Sequence, residues 1–134
     1  MTLVDTNVLS DVLTNDATWY TWSAEALRRR AAVGPLLINE IVYAELSVRA
    51  DSEARLGKAL TELDIVLART PTAALFLAGK IFYRYRAAGG VRTGVLPDFF
   101  IGAHAQIVQW PLITRDLRHY RTYFPDVGLI TPNQ

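Results

Sequence analysis

The chain begins with a short apolar run, Leu3-Val4, that stops at Asp5. Val8, Leu9, Val12 and Leu13 follow at i, i+1, i+4 and i+5, the spacing of one helical face. This predicts a buried strand over Leu3-Val4-Asp5 and a helix directly behind it. "NDATWYTWS" breaks the periodicity. "SAEALRRRAAVG" then predicts a helix with Ser23 as its cap and Gly34 as its stop. "PLLIN" reads as a second strand, "EIVYAELSVRA" as a helix, and "DSEARLGKALTELD" as another, capped by Asp51 or Ser52. Between Ile65 and Ala68 the pattern permits a strand without demanding one. After Pro71 a long helix is expected over "TAALFLAGKIFYRYRAA", closed by Gly89-Gly90, and "VRTGVL" is expected as a loop. Pro97 opens the next helix at a first-turn position, where its missing N–H costs nothing. "PLIT" predicts a strand, "RDLRHYRTYF" an irregular or helical turn, and "VGLIT" a last strand. Strands alternating with helices predict an α/β fold with a mainly parallel sheet.

Composition narrows the class. The 134 residues, half of them hydrophobic and spread along the whole chain, suit a single globular domain over 1–134 with a sizeable core. No apolar run approaches the roughly 18 to 20 residues that span a bilayer, so no membrane association is expected. The amino-terminal segment lacks the charged and apolar regions of a secretory leader. The absence of cysteine removes disulfides and thiolate metal sites and fits a cytoplasmic protein. A net charge of +1 excludes a bulk polycation. The cations are nonetheless unusual in kind: Lys58 and Lys80 are the only lysines, and the remaining twelve of fourteen are arginines. Arginine suits bidentate contact with phosphate or carboxylate, although a genome rich in G and C produces the same bias.

Ligands in such folds gather at the carboxyl ends of the strands, which turns attention to acids placed there. Asp5 follows the first strand and Asp116 follows "PLIT". Asp98 sits in the first turn of a helix, behind Pro97. Glu45 shares a helical face with Ile41, Ala44 and Val48, so it is expected to point with the apolar side chains. Glu40, at the start of the same helix, reads as structural. Each acid also has a purely structural explanation: a helix cap, a dipole partner, a turn residue or an arginine partner. Together they make a better cluster than four coincidences. Two carboxylates about 4 Å apart repel by roughly 4 kcal/mol at an effective dielectric near 20, so a crowded set must protonate, separate or bind a cation. Carboxylate oxygens without cysteine select hard ions such as Mg²⁺ or Mn²⁺. A pair of such ions hydrolyses phosphodiesters, one activating water and the other stabilising the leaving oxygen. The residues therefore point to a metal-dependent phosphoryl hydrolase.

"LVDTNVLSDVL", "INEIVYAEL", "LPDFFIGAHA" and "LITRDLRHYRTYFPDVGLITP" resemble, in order and separation, the PIN-domain ribonucleases, and within them the VapC-type toxins of bacterial toxin–antitoxin pairs. The resemblance covers nearly the whole chain, and between Asp51 and Gly94 it holds only in pattern. It implies a PIN-like three-layer α/β/α sandwich and a Mg²⁺- or Mn²⁺-dependent endoribonuclease acting on single-stranded or loop RNA. Residue by residue, it implies that Asp5, Glu45, Asp98 and Asp116 form the acidic set. Asp5 and Asp98 would hold the metal directly, with Asp116 and Glu45 completing the shell or orienting water. Asn7 and Thr114 would be supporting polar residues. The implied partners are an RNA substrate, a cognate antitoxin that blocks the acids, and a second copy of the chain. Homodimers through the early helices and toxin–antitoxin hetero-oligomers are both expected.

Basic residues interleaved with aromatics suit contact with single-stranded RNA. Arg84, Arg86, Arg92, Arg115, Arg118 and Arg121 are the candidates, with Tyr83, Tyr85 and Tyr120 among them. The structural alternative is solvated arginines over packed tyrosines. His104 is read as structural and His119 as a surface residue. Leu9, Leu13, Trp19 and Trp22 are the candidates for an antitoxin groove. Two rivals remain. A phospho-accepting receiver domain would need a late lysine, and none follows Lys80. A PIN-like module that binds RNA or protein without cutting would share every motif above.

Overall fold

The computed structural model describes residues 1–92 and 94–132, so Thr93 of the expected loop lies outside the described residues. Among those described, five short strands form one sheet: β1 (Thr2–Val4), β2 (Leu36–Ile38), β3 (Ile65–Leu67), β4 (Leu112–Ile113) and β5 (Leu129–Ile130). Every pairing is parallel, and the order is β3-β2-β1-β4-β5. The helices are α1 (Thr6–Leu13), α2 (Tyr20–Ala31), α3 (Glu40–Ser47), α4 (Glu53–Glu62), α5 (Thr72–Ala87), α6 (Leu96–Val108) and α7 (Arg118–Tyr123). The architecture is the expected three-layer α/β/α sandwich.

The central strands are buried along their whole length, which is why β1 and β2 read as unbroken apolar runs rather than alternating ones. At the edge, only Ile65 of β3 is buried, while Val66 and Leu67 face outward. That accounts for the weak signal there. Leu3, Val4, Ile38, Leu112 and Ile113 form the centre of the core, with Phe99, Tyr120 and Phe124 closing over it. Gly102 lets α6 approach the carboxy-terminal segment: a Cβ at this position would overlap the Phe124 ring.

Three local expectations need correction. Ser23 does not cap the second helix, which starts earlier, at Tyr20. The Asp16 carboxylate accepts the Thr18 and Trp19 N–H groups at 2.9 and 2.8 Å and organises the turn that leads into α2. Ser23 is buried inside the helix, and its hydroxyl donates to Asp11 Oδ2 at 2.6 Å. The helix also stops at Ala31, before Gly34. On α3 the buried residues are Val42 and Leu46, not the face of Ile41, Ala44, Glu45 and Val48. Val48 is 82% exposed. Glu45 therefore flanks the buried face and turns toward α1. Ser52 is the cap of α4, accepting the Arg55 N–H at 3.1 Å. Asn39 caps α3 through the N–H groups of Ile41 and Val42, both at 3.1 Å. Glu40 is structural as expected, tying α3 to Thr70.

Candidate active site

The strand order reverses at β1, which has β2 on one side and β4 on the other. Parallel sheets open a crevice at the carboxyl ends of the strands flanking such a point. Val4 pairs with Ile113, and the Asp5 N–H donates to the Ile113 carbonyl at 2.9 Å. The residue after β1 and the residue after β4 are thereby set side by side.

Asp5 is 3% exposed and ends its strand as the cap of α1, its Oδ1 accepting the Thr6 N–H at 2.7 Å. Its Oδ2 accepts the Thr114 hydroxyl at 2.7 Å and the Tyr120 hydroxyl at 3.0 Å, with the Asn7 amide at 3.4 Å. Burial pushes the Asp5 carboxyl up to about 7. The Thr114 bond works against that rise, the nearby Asp98 charge adds to it, and the Tyr120 and Thr6 bonds oppose it less strongly. Asp98 lies in the first turn of α6, behind Pro97 as expected. Burial, then the charges of Asp116 and Glu45, push it up to about 6, against the pull of Arg118. Asp98 is thus the acid whose charge or neighbours link the set: it acts on Asp5, and Asp116 and Glu45 act on it.

Their side chains are nevertheless spread among separate partners. The Asp116 carboxylate accepts the Arg118 N–H at 3.1 Å and faces its guanidinium at 3.4 Å. Burial raises Asp116, but the Arg118 bonds outweigh it and leave this carboxyl below its usual range. Glu45 Oε1 accepts the Thr6 hydroxyl at 2.6 Å. His119 Nδ1 stands 3.5 Å from Asp98 Oδ2, too long and misaligned for a hydrogen bond. Among the described residues, no three acids or histidines stand close enough to ligate one ion as their side chains are placed. The donor chemistry still fits a hard divalent cation. The candidate ligands would be carboxylate oxygens, and the carboxyls of Asp5 and Asp98 are pushed up by burial and neighbouring negative charge that a cation would relieve. Closing a coordination shell requires Asp116 and Glu45 to exchange their present partners.

Asn7 and Thr114 lie beside Asp5. Asn7 Oδ1 accepts the Arg115 N–H at 3.2 Å, and Thr114 Oγ1 accepts the Asp116 N–H at 3.1 Å while donating to Asp5. Thr114 is therefore a bridge between two acids. A cleft of about 490 Å³ opens beside them, lined by Arg92, Asp98, Asp116, Arg118 and His119 with Val91, Gly94 and Val95. Arg92 and Arg118 thus share a wall with the acids. Arg84, Arg86 and Arg121 are exposed but do not line it.

Two groups of expected binding residues are corrected. Arg115 is not a free cation: its Nε and Nη2 donate to Asp11 at 2.7 and 2.9 Å, and Asp11 is buried. Leu9 is fully buried in the core and faces no groove. The remaining groove candidates line two different depressions. Leu13 lies in one of about 480 Å³ between α1, α3 and α4, with Thr6 and Glu45 on its border. Trp19 and Trp22 lie in another of about 770 Å³ beside α2 and β5. Sequence reasoning missed Asp11 and the role of Tyr120. The regular i, i+4 spacing of Tyr120 and Phe124 is the one signal that marked Tyr120 as inward.

The fold and this crevice define a class: parallel α/β domains with carboxylates at the switch point of the sheet. The family model described as PIN domain matches residues 2–125, and the chain belongs to the PIN-domain family. Among solved structures it is similar to a toxin–antitoxin complex from Klebsiella pneumoniae, with 25% identity, a TM-score of 0.72 and 98% of each chain covered. It is also similar to VapBC-1 from nontypeable Haemophilus influenzae, with 17% identity, a TM-score of 0.73, and 99% of this chain and 98% of the other covered. VapBC2 from Rickettsia felis, bound to a DNA fragment from its promoter, gives 18% identity and a TM-score of 0.71 over 97% of each chain. At their identities the last two speak for the fold alone. No curated protein sequence matches the chain.

Proposed function

We propose that the protein is a divalent-metal-dependent endoribonuclease and the toxin half of a toxin–antitoxin pair. The observation that carries this reading is the set of carboxylates at the β1–β4 crevice, with Asp5 and Asp98 pushed up to about 7 and about 6. Asp5, Asp98 and Asp116 would hold Mg²⁺ or Mn²⁺, with Glu45 on the border. When bound, such an ion supplies positive charge where phosphodiester scission develops negative charge. The chain's own groups do the rest. Thr114 and Tyr120 fix the Asp5 carboxylate in one orientation with two hydroxyl donors to Oδ2. Arg118 holds Asp116 and lies on the cleft wall with Arg92, where both can meet an RNA phosphate.

Family membership and the likeness to toxin–antitoxin complexes support an antitoxin partner. The apolar depression holding Leu13 borders Thr6 and Glu45, so a segment seated there reaches Glu45. Self-association is part of the same reading. Large exposed apolar residues occur both on the early helices, at Leu13 and Tyr20, and on β3 and α5, at Val66, Leu67, Phe76 and Tyr83. No helix among the described residues is long and apolar enough to cross a membrane.

The test is labelled RNA incubated with Mn²⁺, then with chelator, for the parent and for Asp5→Asn and Asp98→Asn. Cleavage that needs the ion and falls by about 100-fold or more in both variants supports the reading. Binding without cleavage by the parent would instead support a non-cutting PIN-like module. The separation of the four acids among different partners is the observation that favours this alternative.

A further inference from the structure

Asp11 and Arg115 form an ion pair whose carboxylate is buried. Asp11 is a carboxylate 3% exposed within α1, and Arg115 grips it with a two-pronged contact at 2.7 and 2.9 Å. Ser23 of α2 adds a third donor to the same carboxylate at 2.6 Å. The Arg115 guanidinium also lies over the Trp19 ring, 4.9 Å from its centre. A carboxylate so far from water is costly unless fully satisfied, and these contacts satisfy it. Replacing such a pair with apolar side chains of similar volume is often neutral or favourable for stability, so folding alone does not explain it. Its location offers another explanation. Arg115 stands between Thr114, which donates to Asp5, and Asp116. Its own N–H is held by Asn7 of α1. The segment that carries Asp116 leaves β4 as irregular chain before α7 and makes few regular backbone bonds of its own.

We propose that Asp11 and Arg115 are positioning residues: the buried pair pins the 114–117 segment to α1 and α2 and thereby sets where Asp116 stands relative to Asp5. Side chains that orient an acidic ligand in this way commonly change metal affinity by about tenfold to 100-fold when lost. The proposal rests on the reading of Asp116 as a metal ligand only in its consequence for the ion. The pinning itself is independent of that reading.

The experiment compares the parent with Asp11→Asn and with the double variant Asp11→Leu/Arg115→Met. The single variant leaves a half-buried guanidinium without its charge partner and is expected to unfold more easily. The double variant removes both charges and is expected to melt close to the parent. Amide hydrogen exchange is read at Arg115 and Asp116, and Mn²⁺ affinity is read by titration without RNA. The double variant should lose about tenfold or more of the protection at these two amides and bind Mn²⁺ about tenfold more weakly. Arg115→Lys keeps the charge but loses the fork, and should fall between the two. A double variant that keeps its melting temperature, its protection at residues 115 and 116 and its Mn²⁺ affinity would overturn the proposal. A parent that binds no Mn²⁺ would count against the metal reading, and the exchange result would still decide the pinning.

Discussion

Replacing Asp5 by Asn should change the stability of the protein in a way that depends on pH with a definite sign. The Asp5 carboxyl is raised from 3.8 to about 7, so the folded chain holds this proton more tightly than the unfolded chain does. Its favourable contribution is fully present below about 3.8 and is lost as pH rises toward about 7, beyond which a buried charge remains. Each pH unit between those values is worth about 1.4 kcal/mol. From pH 5 to pH 8 the parent should therefore lose about 3 kcal/mol that the asparagine variant keeps, because only the two units below about 7 count. Other groups titrate in both proteins. Burial lowers His104, which opposes Asp5 by favouring stability as pH rises through the histidine range. His104 is common to both proteins, so the difference between them isolates position 5. Asn remains a good helix cap toward the Thr6 N–H. Its amide group meets the Thr114 and Tyr120 hydroxyls less well, but that offset is the same at every pH. The assay is urea unfolding in chelator at pH 5, 6, 7 and 8, followed by circular dichroism. The variant should gain on the parent steadily across the series, and Mn²⁺ at pH 8 should return the advantage to the parent. A difference that stays flat within about 1 kcal/mol would mean that Asp5 carries its charge without penalty, and the electrostatic basis of the crevice would be gone.

Further outcomes follow from the same geometry. In chelator, Asp98→Asn should melt no lower than the parent, because it relieves the repulsion from Asp116 and Glu45. A marked drop in a thermal melt would show that Asp98 serves α6 as a structural acid. Gly102→Ala should cost about 1 to 3 kcal/mol in urea unfolding despite the better helix propensity of alanine, since its Cβ meets the Phe124 ring. An unchanged midpoint would mean that Phe124, although fully buried, can move aside. Arg118→Ala should weaken RNA binding and reduce the slope of log affinity against log salt by about 0.7, the share of one phosphate contact on a single strand. An unaltered slope would remove Arg118 from the RNA path.

Much of this molecule is legible in the pattern of its residues, for reasons that differ from place to place. The central strands declare themselves because burial on both faces requires runs such as Leu3-Val4 and Leu36-Leu37-Ile38. β3 is ambiguous because an edge strand leaves Val66 and Leu67 exposed. Asp5, Asp98 and Asp116 can be found because a strand exit or a helix start fixes the direction of the side chain locally. Glu45 is harder. α3 offers two adjacent apolar faces, and which of them is buried depends on neighbours distant in the chain. The true role of Arg115 is not visible in its surroundings, since its partner Asp11 lies 104 residues away and looks like an ordinary exposed helix acid. The early helices mislead in the same way: Leu9 and Leu13 share a spacing, yet one is core and the other is exposed.

The position of β1 in the middle of the sheet has a consequence for how the protein comes into being. Asp5 is made 109 positions before Thr114, the residue whose hydroxyl it accepts. Until β4 leaves the ribosome, β1 lacks the neighbour that brings Thr114 to Asp5. A product cut short before β4 lacks Thr114, Asp116 and Tyr120, and with them both hydroxyl donors to Asp5.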